Sequence, residues 1–254
     1  DLTGDWSSDV CSSDLNLVTR FESHGEIHCM TRTVLTNPEQ IKDTKNVIRK
    51  IFQKTEFYEY AQAFLAGRNF EAEMNSIFTM SGAFSTFRKS TILKTQLYNT
   101  DTVCEDTHVT FQVRKLLKQR IAICENAVFF VDPIENLQKL CLQRQRWQRG
   151  ELEVAHMFLN RGSVVKNFFT NFMTRVIMYD HTFAFPRMIW YFALICMTFV
   201  NYPVAYIVIS LILIYFLYVC SAFLYYLNIL SYLRFDKKLR HFYGKNILIL
   251  LLLP

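Results

Sequence analysis

The sequence predicts an α/β domain that ends near Gly150 and is followed by membrane-spanning helices. Up to Gly150, short runs rich in β-branched and aromatic residues alternate with stretches of helical spacing, as strands alternate with helices. From Met188 to Leu233 the chain carries no charged side chain, and a soluble domain would struggle to bury so long an apolar run. The composition, 51% hydrophobic and 15% aromatic, excludes a disordered chain.

The first elements follow from β-branched content and a helix cap. Ile27–Leu35 is rich in β-branched residues and predicts a strand. Asn37 and Pro38 then start a helix, with asparagine as the cap and proline in the first turn. Apolar residues at helical spacing extend this predicted helix to a stop at Gly67.

The remaining elements of the α/β region alternate in the same way. Two short strands are predicted within Ile77–Phe87, on either side of Ser81 and Gly82. The pattern then predicts a helix over Glu105–Leu117, strands over Ile121–Cys124 and Ala127–Val131, and a helix from Pro133 through Trp147.

The character of the chain changes after Gly150. Val164–Tyr179 mixes apolar and polar side chains as a helix lying in the membrane interface would. Phe183–Val200 and Val204–Leu230 are each long enough to cross a bilayer, whereas the apolar run that begins at Asn246 stops too soon. The sequence therefore predicts two spans and a severed third.

The flanking charges predict the orientation of the spans. The turn between them, Asn201–Pro203, has no lysine or arginine. Basic residues stand on the other side, at Lys166, Arg175, Arg234, Lys237, Lys238, Arg240 and Lys245. The positive-inside rule then predicts a multi-pass membrane protein with the α/β region in the cytoplasm.

The first residues do not look like natural coding sequence. Asp5–Leu15 reads DWSSDVCSSDL, which matches the in-frame translation of a widely used sequencing-library adapter. Residues 1–15 are therefore interpreted as an adapter artefact and excluded from the fold argument. The other predicted divisions are 16–150, the α/β domain; 151–182, an interfacial amphipathic region; and 183–254, the membrane region. We expect the chain to be a fragment of a longer protein.

Cys104-Glu105-Asp106 stands at a predicted helix start, where the positive end of the helix dipole favours ionised carboxylates. An ionised carboxylate there, from Glu105 or Asp106, would accept a proton from a substrate hydroxyl as a general base. Acidic residues are also common in the first turn of any helix, and spacing alone favours that plain interpretation.

A second candidate site is the run from Gln143 to Trp147. Gln143, Arg146 and Trp147 lie at i, i+3 and i+4 and share one flank of the predicted helix. Arginine presents a fork of donors to phosphate oxygens, and an indole presents a flat face to a sugar ring. The alternative, equally weighted on the residues alone, is a basic helix face near a membrane with Trp147 as an interface anchor.

Other candidate sites are weaker. Ser81-Gly82 would let the backbone approach a ligand closely, although a plain turn is favoured. His24, His28 and Cys29 do not favour a metal site, because Gly25 interrupts the helix that ligation at i and i+4 needs. The excess of positive charge, 28 Lys+Arg against 22 Asp+Glu, indicates attraction to a membrane surface and no nucleic-acid partner.

Taken together, these motifs resemble the processive, membrane-embedded family-two glycosyltransferases, which include cellulose, hyaluronan, chitin and poly-N-acetylglucosamine synthases. The resemblance rests on SGAF (Ser81–Phe84), CEDTHVTFQVR (Cys104–Arg114) and DPIENLQKLCLQRQRWQRG (Asp132–Gly150), in that order and ahead of membrane spans. It covers roughly Asn16 to the C-terminus. The stretches TVLTNPEQ and DHTFAFPRMIWY are most similar to glycosyltransferases associated with a Gram-positive exosortase system.

The resemblance implies a fold and a set of roles. Residues 16–150 would be the C-terminal, acceptor-side half of a nucleotide-diphospho-sugar transferase-like domain. Asp106, beside Glu105, would be the general base that deprotonates an acceptor hydroxyl as it displaces a nucleoside diphosphate with inversion. Arg146 would offset charge on the leaving diphosphate and Trp147 would stack on the acceptor sugar, within a Gln-(Gln/Arg)-x-Arg-Trp motif completed by Gln143 and Arg144.

The resemblance also implies partners and a process. The donor would be a nucleotide-sugar, a UDP-sugar, and the acceptor a glycan, with the lipid bilayer and accessory export or assembly proteins as further partners. The process would be polysaccharide biosynthesis. In the family, an Asp-x-Asp motif holds the Mg²⁺ or Mn²⁺ that bridges the diphosphate.

This sequence departs from the family pattern in three respects. Cys104 replaces the threonine of a Thr-Glu-Asp motif, and Arg32 stands where relatives commonly have glycine. The Asp-x-Asp motif is absent from the sequence, so no residue is predicted to bind metal and this chain alone is expected to be inactive.

Two other classes of function compete with the enzyme. A non-catalytic, membrane-anchored binding or scaffold module would need the carboxylates only as a helix cap and the arginines only as a basic face. A transporter fits poorly, because Arg187 is the single charged side chain within the predicted spans and lies near an end.

Overall fold

A three-stranded mixed sheet forms the centre of the α/β region. The computed structural model describes residues 6–82, 85–98, 101–158, 189–200 and 202–253, with side chains from residue 13 onward. The strands are β1 (Cys29–Thr36), β2 (Ser85–Phe87) and β3 (Ile121–Val131), in the order β2-β1-β3. β1 pairs antiparallel with β2 and parallel with β3, and every residue of this central strand is buried.

Helices make up most of the described chain. In the α/β region they are α1 (Trp6–Ser23), α2 (Pro38–Asp43), α3 (Val47–Tyr60), α4 (Arg68–Glu73), α5 (Lys89–Ile92), α6 (Glu105–Phe111) and α7 (Leu137–Phe158). Two π-helical segments, Ala61–Gly67 and Gln112–Leu116, continue α3 and α6. Further on lie α8 (Ile189–Phe199), α9 (Val204–Tyr232) and α10 (Lys237–Lys245), with 3₁₀ turns at Leu233–Phe235 and Ile247–Leu252.

The sheet is covered on both faces, because successive side chains of a strand point to opposite sides. Met30 and Cys124 pack against Leu17 of α1 on one face. Cys29 and Ile121 belong to the other face, where residues of α4 and α6 cover them. The predicted α/β class is therefore present, as a mixed sheet within a mostly helical chain.

The single helix predicted from Pro38 to Gly67 is wrong. Asn37 caps α2 as predicted, since its Oδ1 accepts the N–H of Glu39 at 3.0 Å. The helix nevertheless ends at Asp43, and a second asparagine, Asn46, caps α3. Gly67 does not end the helical run, because its backbone is right-handed helical and the chain continues into α4.

The strand predictions also need correction. Two strands are predicted within Ile77–Phe87; among the residues of this range that the structure describes, 77–82 and 85–87, β2 is the one strand. The N–H groups of Met80 and Ser81 donate to the side-chain hydroxyls of Thr110 and Thr31, so they are not available for a strand ladder. The two strands predicted between Ile121 and Val131 are one strand, β3, with a bulge that lets Arg32 face Cys124 and Thr33 face Val128.

The last helix of the α/β region differs at both ends from the prediction. Pro133 does not open it; α7 begins at Leu137, where Asn136 Oδ1 accepts the N–H of Lys139 at 2.8 Å. It also passes Trp147 and continues to Phe158, which packs with Val154 near Phe111. The first residues of the predicted interfacial region are thus a continuation of an α/β helix.

One helix among the described residues is long and apolar enough to cross a membrane. It comprises α9 and the turn after it, Val204–Phe235, and it includes the predicted span Val204–Leu230; its most apolar stretch of 18 residues has a mean hydropathy of 2.6. For the predicted span Phe183–Val200 the structure describes α8, a shorter apolar helix. The predicted interfacial helix Val164–Tyr179 lies outside the described residues.

An aromatic stack joins the apolar helix to the α/β region. Tyr243 of α10 stacks on Tyr58 of α3, with ring centroids 4.2 Å apart, and on Tyr226 of α9, at 5.3 Å. The Tyr58 hydroxyl donates to the Tyr243 carbonyl. Three helices from distant parts of the chain therefore meet at one buried ring.

Replacing Tyr243 by alanine is expected to lower the apparent Tm of the detergent-solubilised chain by about 10 °C. Deleting a buried aromatic ring costs about 3–5 kcal/mol, and each kcal/mol corresponds to about 2–4 °C in a chain of this size. Tyr206→Ala is the matched control, because Tyr206 is 60% exposed on α9. A similar loss in both variants would contradict the packing role of Tyr243.

Candidate active site

Asp106 lies in the first turn of α6, against the loop that leads into β2. Its Oδ1 accepts the N–H of Thr107 at 2.7 Å, and its Oδ2 accepts the N–H of Gly82 at 3.1 Å. A Cβ added at Gly82 would lie 3.0 Å from Oδ2. Glycine thus lets the backbone approach the carboxylate, and two predicted site residues 24 positions apart are in direct contact.

The surroundings of Asp106 make it a stronger base than an exposed aspartate. Burial raises the pKa of its carboxyl group, and the neighbouring Glu105 charge raises it as well. Hydrogen bonds from the Thr107 and Gly82 N–H groups oppose this rise in part. A carboxylate whose pKa moves toward the working pH takes up a proton more readily.

Glu105 and Ser81 flank Asp106 in different ways. Glu105 is exposed and acts on Asp106 through its charge. Ser81 is half-buried and its backbone is fixed: its N–H donates to Thr31 Oγ1 at 3.1 Å, and its carbonyl accepts from Ser85 Oγ at 2.8 Å. The loop that contacts Asp106 is therefore tied to the central strand β1 and to β2.

Cys104 and Gly150 bring the start of α6 against α7. Cys104 Sγ lies 3.9 Å from the carbonyl oxygen of Arg146 and 3.8 Å from that of Trp147. A Cβ added at Gly150 would lie 2.2 Å from this sulfur and 2.6 Å from Cys104 Cβ, so glycine is needed here. The contact places the Asp106 end of α6 beside the Arg146–Trp147 turn of α7.

The charges of the two motifs act on the same thiol. Burial first, and then the carboxylates of Asp106, Glu151 and Glu105, together raise the pKa of Cys104 to about 12, while the charge of Arg146 opposes this rise. The Arg146 side chain is exposed. Its charge therefore acts on the same thiol as the carboxylates of α6, while its guanidinium remains accessible to a ligand.

Arg144 and Trp147 form a cluster with α3 and the π-helical segment after it. The Arg144 guanidinium lies 4.8 Å from the centroid of the Trp147 ring, and its Nη2 pairs with Glu59 Oε2 at 2.9 Å. Trp147 is half-buried and meets Phe64 edge to face at 6.1 Å and Tyr60 at 6.5 Å. Arg144 therefore supports the indole, with its charge paired to Glu59.

Gln143 contributes an unused acceptor to this cluster. Its side chain is half-buried, and its Oε1 is buried with no hydrogen-bond partner within the described part of the chain. A buried acceptor without a donor is costly, so this oxygen is a candidate to accept a hydrogen bond from a bound hydroxyl.

Several residues that shape the site were not identified from the sequence. Nothing in the linear pattern pairs Glu59 and Tyr60 with α7. Gly150 does carry a signal, because a glycine inside a helical pattern is destabilising and indicates a close contact. In the prediction, however, Gly150 marks only the end of the α/β domain.

The described residues do not fit a divalent cation that bridges a diphosphate. Across ranges 6–82, 85–98, 101–158, 189–200 and 202–253, no group of three or more His, Cys, Asp or Glu side chains is placed to hold a metal ion. Both carboxylate oxygens of Asp106 already accept backbone N–H groups.

Gly150→Ala is expected to lower the apparent Tm by about 3–10 °C, because overpacking costs about 1–3 kcal/mol. Adding Cys104→Gly removes both clashing atoms, so the double variant is expected to recover most of this loss. Gly25→Ala is the control, since nothing lies within 4 Å of a Cβ at Gly25. If the two substitutions were simply additive in thermal unfolding, the contact would not be the cause.

The dependence of stability on pH tests the burial of Asp106. Because its pKa is raised above the ordinary 3.8, the folded state holds this proton more tightly than the unfolded state does. The stabilisation is complete below pH 3.8 and is lost as the pH rises through the raised value. The Tm of Asp106→Asn minus that of the wild type is therefore expected to increase from pH 4 to pH 7. A constant difference would show that Asp106 is not held in a desolvated position.

Comparison with known proteins identifies the family. Residues 19–233 match the family model described as glycosyl transferase family group 2. This range contains Asp106, the Gln143–Trp147 motif and α9, and it leaves out the predicted adapter segment. No curated protein and no solved structure matches the chain. Because the family match covers well over half of its length, the chain belongs to the group 2 family of glycosyltransferases.

Proposed function

We propose that the protein transfers a sugar from a nucleotide-diphospho-sugar to a glycan hydroxyl, with Asp106 as the general base and with inversion at the anomeric carbon. Membership of the family supports transfer from a nucleotide-sugar in general. The observation that supports the finer proposal is the contact of Cys104 with the α7 turn, which brings the start of α6, with its half-buried Asp106, against the turn that carries the exposed Arg146. An inverting displacement needs a base for the acceptor hydroxyl and a positive charge for the leaving diphosphate.

The proposed step begins with the acceptor. Asp106 takes the proton of an acceptor hydroxyl while that oxygen forms a bond to the anomeric carbon of the donor. The bond from the anomeric carbon to the diphosphate breaks, and the diphosphate leaves with the bonding electrons. Backbone N–H groups of Thr107 and Gly82 hold the carboxylate in one orientation, so little reorganisation is needed.

Arg146 is proposed to offset the charge that grows on the leaving diphosphate. A guanidinium presents several N–H donors in a fixed plane and pairs well with phosphate oxygens. Arg144 is less suited to this role, because Glu59 already pairs with it at 2.9 Å. The two arginines of the motif therefore have different proposed tasks, one toward the diphosphate and one toward Trp147.

Trp147 and Gln143 are proposed to bind the acceptor glycan. An indole face packs favourably against the C–H groups of a sugar ring, and the free Oε1 of Gln143 would accept from a sugar hydroxyl. Arg144, Tyr60 and Phe64 hold the indole in place. The N–H group of Gly82 holds the Asp106 carboxylate, and Ser81 fixes the loop that carries Gly82.

The setting is proposed to be the cytoplasmic face of a bacterial plasma membrane. One apolar helix of spanning length supports membrane association, and the basic residues after it support this orientation. A multi-pass topology, a UDP-sugar donor, polysaccharide synthesis and an exosortase-linked role remain proposals that rest on the sequence resemblance. We further propose that these 254 residues alone are inactive, since the sequence contains no Asp-x-Asp pair.

Asp106→Asn in the full-length protein is expected to reduce sugar transfer by about 10²–10⁴-fold while leaving donor binding nearly intact, since loss of a general base has effects of that size. Asp43→Asn, the same exchange at an exposed position of α2, is the control and is expected to be neutral. Trp147→Ala is expected to weaken acceptor use more than donor hydrolysis, and Trp147→Phe to restore part of it.

These measurements also separate the enzyme from a non-catalytic scaffold. They require radiolabelled donor, a transfer assay and a separate assay of donor hydrolysis. If wild-type full-length protein binds glycan but transfers no sugar, the scaffold replaces the enzyme. If the Asp106 variant retains full transfer, or if Trp147→Ala reduces both activities equally in a folded protein, the assigned roles are wrong.

A further inference from the structure

A basic groove lies beside the apolar helix, well separated in sequence from the candidate active site. We define it by the residues that line a cavity of about 780 Å³: Leu230, Lys237, Arg240, His241, Gly244 and Lys245. Leu230 belongs to the last turns of α9, and the other residues belong to α10. The cavity therefore lies where the apolar helix α9 ends and α10, which carries positive charges, begins.

The residues of α10 that line the groove occupy one face of this helix. Positions 237, 240, 241, 244 and 245 recur at three- and four-residue spacing, so they line the same side. The opposite side carries Leu239, Phe242 and Tyr243, which are buried against the rest of the protein. Because packing fixes the apolar side, the cations are held in place as a group.

The cations of the groove are not neutralised by the protein itself. Within the residues described here, Lys237, Arg240, His241 and Lys245 form no ion pair. Asp236, the nearest acid in sequence, caps α10 by accepting the N–H groups of Lys238 and Leu239. Lys54 of α3 interacts with Lys245 of the groove as a like charge. Burial lowers the pKa of Lys54, and the positive charges of Lys50 and Lys245 lower it further. An anion bound here would relieve this repulsion.

An apolar track leads away from the groove along α9. Leu230 is followed at helical spacing by Leu227 and Phe223, which are 49% and 44% exposed. A ligand that filled both parts would need an anionic head and an apolar tail. A free anion would use only the cationic part.

We propose that the basic groove binds the phosphate-bearing headgroup of an anionic phospholipid, with its acyl chain lying along Leu230, Leu227 and Phe223. The proposal rests on the proposed membrane setting and goes beyond the sugar-transfer activity. Each lysine or arginine near an anionic lipid surface raises the affinity roughly fivefold, so a few cations in one groove suffice for selective binding. The bound lipid would tie α10, and through Tyr243 the α/β region, to the membrane surface.

The test uses the whole chain in a non-ionic detergent, titrated with dioleoylphosphatidylglycerol, dioleoylphosphatidylcholine or inorganic phosphate. Binding is followed by native mass spectrometry and by the shift in Tm. We expect phosphatidylglycerol to bind at least tenfold more tightly than phosphatidylcholine. Raising the salt from 0.15 M to 1 M is expected to reduce this preference, since screening shortens the Debye length to about 3 Å.

Two charge-matched double variants identify the site. Arg240→Gln with Lys245→Gln removes two cations from the groove and is expected to weaken phosphatidylglycerol binding about tenfold or more. Lys89→Gln with Lys94→Gln removes two exposed cations elsewhere and is expected to bind like the wild type. The Tm values without lipid establish that each variant is folded, and the salt titration of the wild type tests the proposal independently of any variant.

Three outcomes would overturn the proposal. Equal affinity for the two lipids would show that the negative charge of the headgroup does not contribute to binding. Wild-type binding by the groove variant would place the lipid elsewhere. Competition by inorganic phosphate at the same concentration as the lipid would assign the groove to a free phosphate. None of these results bears on sugar transfer, and loss of transfer in the Asp106 variant would not bear on lipid binding.

Discussion

The close approach of Cys104 to Gly150 is the constraint on which the candidate site depends. Asp106 follows two residues after Cys104, and Trp147 precedes Gly150 by less than one helical turn. The short side chain of Cys104 touches the backbone of α7 directly, because any side chain at Gly150 would overlap its sulfur and its Cβ. Such a contact has few adjustable torsions. The relative positions of a base and a cation matter to within about 1 Å in catalysis, and a backbone-level contact can hold them to that tolerance.

The thiol in this contact is a packing group rather than a nucleophile. Its pKa is raised to about 12 by burial and by nearby carboxylates, so it stays protonated at neutral pH. A neutral sulfur can lie against the carbonyl oxygens of Arg146 and Trp147, where a thiolate would be repelled. This explains how cysteine is accommodated where the motif that the sequence resembles has threonine. Asp106, the proposed base, is one of the carboxylates that help to keep this thiol protonated.

The sequence predicted correctly whether most elements are helices or strands. The predictions were wrong where contacts between distant segments determine the local structure. Asn37 capped its helix because capping is local, whereas the residues before β2 do not form a strand because their N–H groups donate to threonines from elsewhere in the fold. The bulge in β3 likewise depends on pairing with β1. In the site, motif spacing singled out Asp106 and Trp147, but no linear pattern indicates that Glu59 pairs with Arg144 across 85 positions.

α3 gives the site a fixed position relative to the apolar helix. Residues two apart on a helix point about 200° away from each other. Tyr58 therefore points toward Tyr243 of α10, while Tyr60 points toward Trp147 of α7. A single helix thus contacts α10 with one ring and the proposed acceptor platform with another. Since Tyr58, Tyr60 and Tyr243 are buried and Trp147 packs against Tyr60, the indole cannot shift toward or away from α10 without moving α3 or breaking one of these contacts.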